Sequence, residues 1–132
     1  MIRVMLVDDH TILREALRMV LEKNSEMQVV GEAGDGMKAL RLADVCLPDV
    51  VVMDVGLPGQ SGIETTRQLL ASHPNIKVLA LSTFLDRTVV QQMLEAGASG
   101  YVAKSAITGE LIQGIQRVFD GGSYQGFRTR TS

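Results

Sequence analysis

The stretch Val51-Val52-Met53-Asp54-Val55-Gly56-Leu57-Pro58-Gly59 decides how the chain is read. An apolar run ends abruptly in a carboxylate, and a Gly/Pro turn follows at once. Such a run reads as a buried strand whose C-terminal end presents Asp54 at a crevice. Working outward, two more apolar runs stop in the same way. Val4-Met5-Leu6-Val7 ends at Asp8-Asp9, and Gly100-Tyr101-Val102-Ala103 ends at Lys104.

The remaining sequence alternates between two periods. Strands are expected at about 3–7, 27–33, 49–53, 77–81 and 100–103. Helical spacing of apolar residues separates them. Leu13, Leu17, Val20 and Leu21 share one face of a helix at about 10–23. A helix at about 37–46 buries Leu40 and Ala43 before Pro48. Ser61-Gly62-Ile63-Glu64 has the form of a capping box and opens a helix that ends near 72, ahead of Pro74. Asp86 is placed to cap a helix that Gly97 stops. A last helix at about 108–120 turns Leu111, Ile112, Ile115, Val118 and Phe119 inward. Gly114 within it predicts close approach of another backbone.

The strands are near-continuous apolar runs, which implies burial on both faces. The fold expected is α/β, a three-layer, doubly wound, five-stranded parallel sheet with helices on both sides. In such sheets ligands bind beyond the C-terminal ends of the strands. Asp8, Asp9, Asp54, Ser82 and Lys104 all fall on that edge.

At 132 residues, 45% hydrophobic and 21% charged, the chain reads as one globular domain. A net charge of −2 gives no basic footprint for nucleic acid. A single cysteine, Cys46, allows no intrachain disulfide and favours a reducing, cytoplasmic setting. Cys46 is expected to pack as a small hydrophobe. Acids arrive too early for a signal peptide, and no apolar stretch approaches a membrane span. His10 and His73 lack Cys or His companions at ligand spacing, and read as solvated or packed rather than as a zinc site.

Three carboxylates converging on one crevice repel one another, and a bound cation removes the strain. Magnesium suits a few carboxylates supplemented by waters and phosphate oxygens. Lys104 adds a positive charge able to pair with a carboxylate or a phosphoryl oxygen, and Ser82 adds a hydroxyl. An aspartate so placed can act as a nucleophile and form an acyl phosphate.

The set Asp8-Asp9, Asp54, Ser82 and Lys104 resembles the CheY-like receiver domain of two-component response regulators. Leu-Val-Asp-Asp-His, Met-Asp-Val-Gly-Leu-Pro-Gly-Gln-Ser-Gly and Gly-Ala-Ser-Gly-Tyr-Val-Ala-Lys-Ser are most similar to the NarL/FixJ subgroup. The resemblance covers 1–122, leaving 123–132 as a frayed tail or the start of a linker. It implies the flavodoxin-like strand order 2-1-3-4-5. It implies phosphoryl transfer to Asp54 from a sensor histidine kinase, with Mg2+ on Asp9, Asp54 and the Gly56 carbonyl, and on Asp8 directly or through water. Lys104 is implied to contact the phosphoryl group. Ser82 is implied to shift toward it, and Tyr101 to turn inward behind Ser82. Thr83 stands beside Ser82 as a second hydroxyl, and Ser105 follows Lys104 where many receivers have proline.

Members of the subgroup usually continue into a helix-turn-helix DNA-binding domain, which this chain does not contain. The implied outputs are phosphorylation-dependent homodimerisation and transcriptional control through such a domain, or a stand-alone phosphorelay or protein-binding role. The implied activity is that of a phosphoacceptor rather than an enzyme. Two other classes compete. An aspartyl-nucleophile phosphatase of the haloacid-dehalogenase type usually carries Asp-x-Asp, whereas Gly56 stands at the third position here. A flavin or nucleotide binder calls for a glycine-rich loop after the first strand, and none is present.

Overall fold

The computed structural model describes residues 1–83, 87–106 and 109–125. Its elements alternate along the chain: β1 (Ile2–Val7), α1 (Thr11–Glu22), β2 (Met27–Ala33), α2 (Gly36–Cys46), β3 (Val50–Asp54), α3 (Gly62–Ser72), β4 (Lys77–Ser82), α4 (Arg87–Glu95), β5 (Gly100–Ala103), α5 (Gly109–Phe119) and β6 (Tyr124–Gln125). One 3-10 turn, Lys104–Ala106, follows β5. All pairings are parallel, and the sheet order is β2-β1-β3-β4-β5-β6.

Why this sequence makes three layers is visible along β1. Ile2, Val4 and Leu6 pack with Leu17 and Leu21 of α1 and with Leu111, Ile115 and Val118 of α5. Met5 and Val7 belong to the opposite cluster, with Ala39 and Ala43 of α2, Leu69 of α3, and Val90 and Met93 of α4. Successive strand residues point to opposite faces, so a run apolar at every position can only sit between two helical layers. Each fully buried leucine or isoleucine contributes about 1.5–3 kcal/mol relative to exposure.

Local signals end the elements much as expected. Asp35 caps α2 by accepting from the Lys38 N–H at 2.8 Å. Ser61 caps α3 by accepting from the Glu64 N–H at 3.2 Å. Only half of the capping box is seen, because the Glu64 carboxylate turns to Arg67 and Gln68. Cys46 is half-buried and its thiol donates to the Val30 carbonyl. The proposed cap Asp86 lies outside the described residues.

Three expectations need correction. Phe119 does not point into the core but is 42% exposed. The last turn of α5 overhangs the N-terminal edge of the sheet, where Phe119 lines a shallow groove with Met1, Ile2 and Glu26. Side chains, not a backbone, approach Gly114: a β-carbon there would stand 3.1 Å from Leu79 and Tyr124 and 3.4 Å from Val102. Finally, Tyr124–Gln125 are not frayed. They add a sixth strand against Gly100 and Tyr101 of β5.

Candidate functional site

The C-terminal ends of β1, β3 and β5 bring Asp8, Asp54 and Lys104 together beneath a cleft of about 370 Å3, lined by His10, Asp54, Val55, Gly56, Ser82, Thr83, Val89 and Lys104. β1 lies beside β3, so the carboxylates that follow them are neighbours by topology. Asp8 and Asp54 are almost fully buried, at 1% and 2% exposure. Lys104 Nζ lies 3.0 Å from Asp8 Oδ2 and 3.1 Å from Asp54 Oδ2. One ammonium thus bridges two buried carboxylates.

Each carboxylate is also held by its own backbone. The Gly56 N–H donates to Asp54 Oδ1 at 3.0 Å, so the turn after β3 folds back on its own aspartate. The His10 N–H donates to Asp8 Oδ1 at 2.8 Å. Arg14 on α1 donates to the Asp8 carbonyl and, through Nε, to Glu32 of β2 at 3.1 Å. Arg18 meets the other Glu32 oxygen at 2.7 Å. Asp8 is therefore tied to α1 and, through Arg14, to β2.

Burial pushes the Asp54 carboxyl above its ordinary range. The Gly56 N–H opposes that rise, neighbouring Asp8 adds to it, and the attraction of Lys104 pulls the other way without reversing it. Burial works to lower the Lys104 pKa, but its bonds to Asp8 and Asp54 outweigh burial and raise it. Asp8, Asp9 and Asp54 together carry two more formal charges than Lys104 offsets, which matches one divalent cation. Asp8, Asp9, His10 and Asp54 each offer a ligand atom, and these atoms lie within 4.8 Å of one another. The donor set fits a metal ion, and two of its carboxylates are buried where an uncompensated charge is costly.

The structure places the other expected residues unevenly. Ser82 ends β4, is 7% exposed and lines the cleft. Thr83 lines the same cleft, so both hydroxyl-bearing residues border it. Tyr101 is already inward, at 4% exposure, packed in the cluster that contains Ala80. Its register partner is Ala80, two residues before Ser82 on the same face of β4. Gly56 lines the cleft.

The sequence reading took His10 as solvated or packed, and did not connect it to the acidic pocket. Its Nδ1 lies 2.9 Å from Asp8 Oδ1, 3.4 Å from Asp9 Oδ1 and 3.4 Å from Lys104 Nζ. Its position directly after the acidic pair was the available signal. His73, by contrast, pairs with Asp44 of α2 at 2.7 Å, away from the cleft.

A parallel α/β sheet of this order, with an acidic pair after β1, an aspartate after β3 and a lysine after β5, defines an aspartate–lysine pocket at the switch point of a flavodoxin-like fold. The chain belongs to the response regulator receiver domain family, whose model matches residues 4–116. Its resemblances place it in the NarL/FixJ, or LuxR-type, subgroup. Over 124 residues it is 44% identical to the response regulator GacA of Pseudomonas viridiflava, covering 94% of this chain and 58% of that protein. The chain thus spans little more than half the length of this curated relative. A two-component response regulator of the LuxR family from Aurantimonas sp. SI85-9A1 superposes with a TM-score of 0.89 at 41% identity, covering 92% of this chain and 87% of that one. The signal receiver domain of NarL from Mycobacterium tuberculosis gives a TM-score of 0.85 at 32% identity, covering 91% and 97%. The chain is therefore a two-component receiver, a phosphoacceptor module rather than a turnover enzyme. Among the described residues, no helix is long and apolar enough to cross a membrane.

Proposed function

We propose that Asp54 accepts a phosphoryl group from a phosphohistidine on a sensor histidine kinase, with Mg2+ held by Asp8, Asp9, Asp54 and the Gly56 carbonyl. The observation that carries this reading is the bridging of Asp8 and Asp54 by Lys104 at 3.0 and 3.1 Å beneath an open cleft. In the transfer, an Asp54 oxygen forms a bond to phosphorus as the phosphorus–nitrogen bond breaks, and the imidazole leaves with its electron pair. The attacking carboxylate must be ionised, and burial works against that. The Gly56 N–H and Lys104 favour the ionised form and fix its direction. When bound, magnesium supplies charge neutralisation for the carboxylates and the incoming phosphoryl oxygens.

After transfer, Lys104 is placed to exchange its carboxylate partner for a phosphoryl oxygen, and Ser82 to donate to another. Tyr101 is already packed behind this region. Its part in the switch is then to hold the inward packing as Ser82 shifts, rather than to swing in from solvent. The new charge and acceptors bias a two-state surface. The receiver unit is taken as 1–122, with 123–132 leading toward an output. Relatives named as transcriptional regulatory proteins favour a transcriptional output, which we take to run through a DNA-binding domain, with phosphorylation-dependent homodimerisation, in the cytoplasm.

The test is labelling with a small acyl-phosphate donor, read by intact-protein mass spectrometry. Wild type should gain one phosphoryl group only with Mg2+, and Asp54→Asn should gain none. Equal labelling of Asp54→Asn would remove Asp54 from the role.

A further inference from the structure

We propose that His10 is a nitrogen ligand of the cation pocket, making it a mixed nitrogen–oxygen site that takes borderline divalent cations such as Co2+ and Zn2+ through the imidazole. This deepens the magnesium reading of the same pocket and rests on it. Three observations carry it.

First, His10 does not serve the helix it begins. It occupies the N-cap of α1, yet its side chain makes no capping hydrogen bond. Histidine is not among the residues favoured at that position. Its ring turns instead toward the acids.

Second, the spacings suit coordination. Ligands about 2.1 Å from one ion stand about 3.0 Å apart at a right angle and about 3.4 Å apart at a tetrahedral angle. His10 Nδ1 stands 2.9 Å from Asp8 Oδ1 and 3.4 Å from Asp9 Oδ1. Asp54 completes a four-residue set.

Third, the same ring nitrogen lies 3.4 Å from the Lys104 ammonium. A cation on Nδ1 and an ammonium beside it repel each other. Cation entry at His10 therefore competes with Lys104 and loosens its 3.0 Å contact with Asp8.

Imidazole suits Co2+ and Zn2+, whereas Mg2+ prefers carboxylate, carbonyl and water oxygens. The inference is tested with the whole chain and the His10→Asn variant. Asparagine keeps a short amide donor for Asp8 and is a good N-cap, but it lacks the imidazole. Co2+ and Mg2+ are titrated separately by calorimetry, with Asp9→Asn and His73→Asn as companions. A nitrogen-15 spectrum of the histidine rings is recorded with and without Zn2+.

The expected result is a loss of about tenfold in Co2+ affinity for His10→Asn, with Mg2+ affinity changed less than twofold. The His10 Nδ1 resonance should move with Zn2+, and His73→Asn should bind as wild type does. Equal losses for both cations, or none for Co2+, overturn the assignment while leaving the magnesium pocket standing. If wild type binds neither cation, or Asp9→Asn binds both as wild type does, the pocket reading itself fails and takes this inference with it.

Discussion

Gly62 at the start of α3 lies so close to Asp54 that a β-carbon on it would stand 2.0 Å from the Asp54 carbonyl oxygen and 2.9 Å from its carbonyl carbon. The Gly62 N–H also donates to the Val55 carbonyl at 3.1 Å. The backbone carrying Asp54 is thus clamped between its own turn and the helix that follows.

Gly62→Ala should therefore cost stability, because backbone cannot yield as a flexible side chain can. A loss of about 1–3 kcal/mol is expected in urea titration, with slowed phosphoryl uptake at the displaced Asp54. Gly109→Ala is the contrast. Nothing lies within 4 Å of a β-carbon there, so that change should be neutral or stabilising by up to about 1 kcal/mol. Equal stability of Gly62→Ala and wild type would mean the clamp is not rigid.

The raised Asp54 pKa has a stability consequence of definite sign. Between the ordinary value of 3.8 and the higher folded value, the folded chain holds a proton that the unfolded chain has released. Ionised Asp54 therefore subtracts from stability at neutral pH, and that loss is recovered as pH falls through the folded pKa. Asp54→Asn should raise Tm by a few degrees at pH 7 without divalent cation. The gain should shrink in acid, and added Mg2+ should raise wild-type Tm more than that of the variant. A lower Tm for Asp54→Asn at pH 7 would show that Lys104 over-compensates burial.

Arg14 joins Glu32 to the Asp8 carbonyl, so it should matter to cation binding without touching the cation. Arg14→Met is expected to weaken Mg2+ binding by about tenfold in an NMR titration. Its cost in unfolding free energy should be about 1 kcal/mol. Glu32→Gln should act in the same direction and more weakly. Unchanged Mg2+ affinity in Arg14→Met would show that β1 alone positions Asp8.

The sheet was legible because its central strands are near-continuous apolar runs, a pattern that two-sided burial explains. Asp8, Asp9, Asp54 and Lys104 were legible because each interrupts such a run with a charge. His10 was not, since a lone histidine has no periodic signature and its partners are set by the alignment of strand ends. Leu47 ends α2 in the left-handed region at φ 47°, a conformation its residue type does not announce. The two-residue strand at Tyr124 was hidden in a polar tail. It depends on Gly100, where a β-carbon would stand 2.3 Å from the Tyr124 carbonyl oxygen. Phe119 was misread because periodicity says which side of a helix is apolar, but not where the sheet beneath it stops.

The sixth strand also gives the molecule an optical property. The chain has two tyrosines and no tryptophan. Tyr101 packs on one face of the sheet within β5, and Tyr124 pairs with Gly100 at the same strand and packs on the other face. Tyr124 donates to Glu110 at 3.3 Å, while Tyr101 is enclosed among apolar side chains. Both tyrosine chromophores therefore sit at one edge of the sheet, in unlike surroundings, next to the strand that delivers Lys104. Near-ultraviolet spectra of the unlabelled protein will report chiefly on that edge.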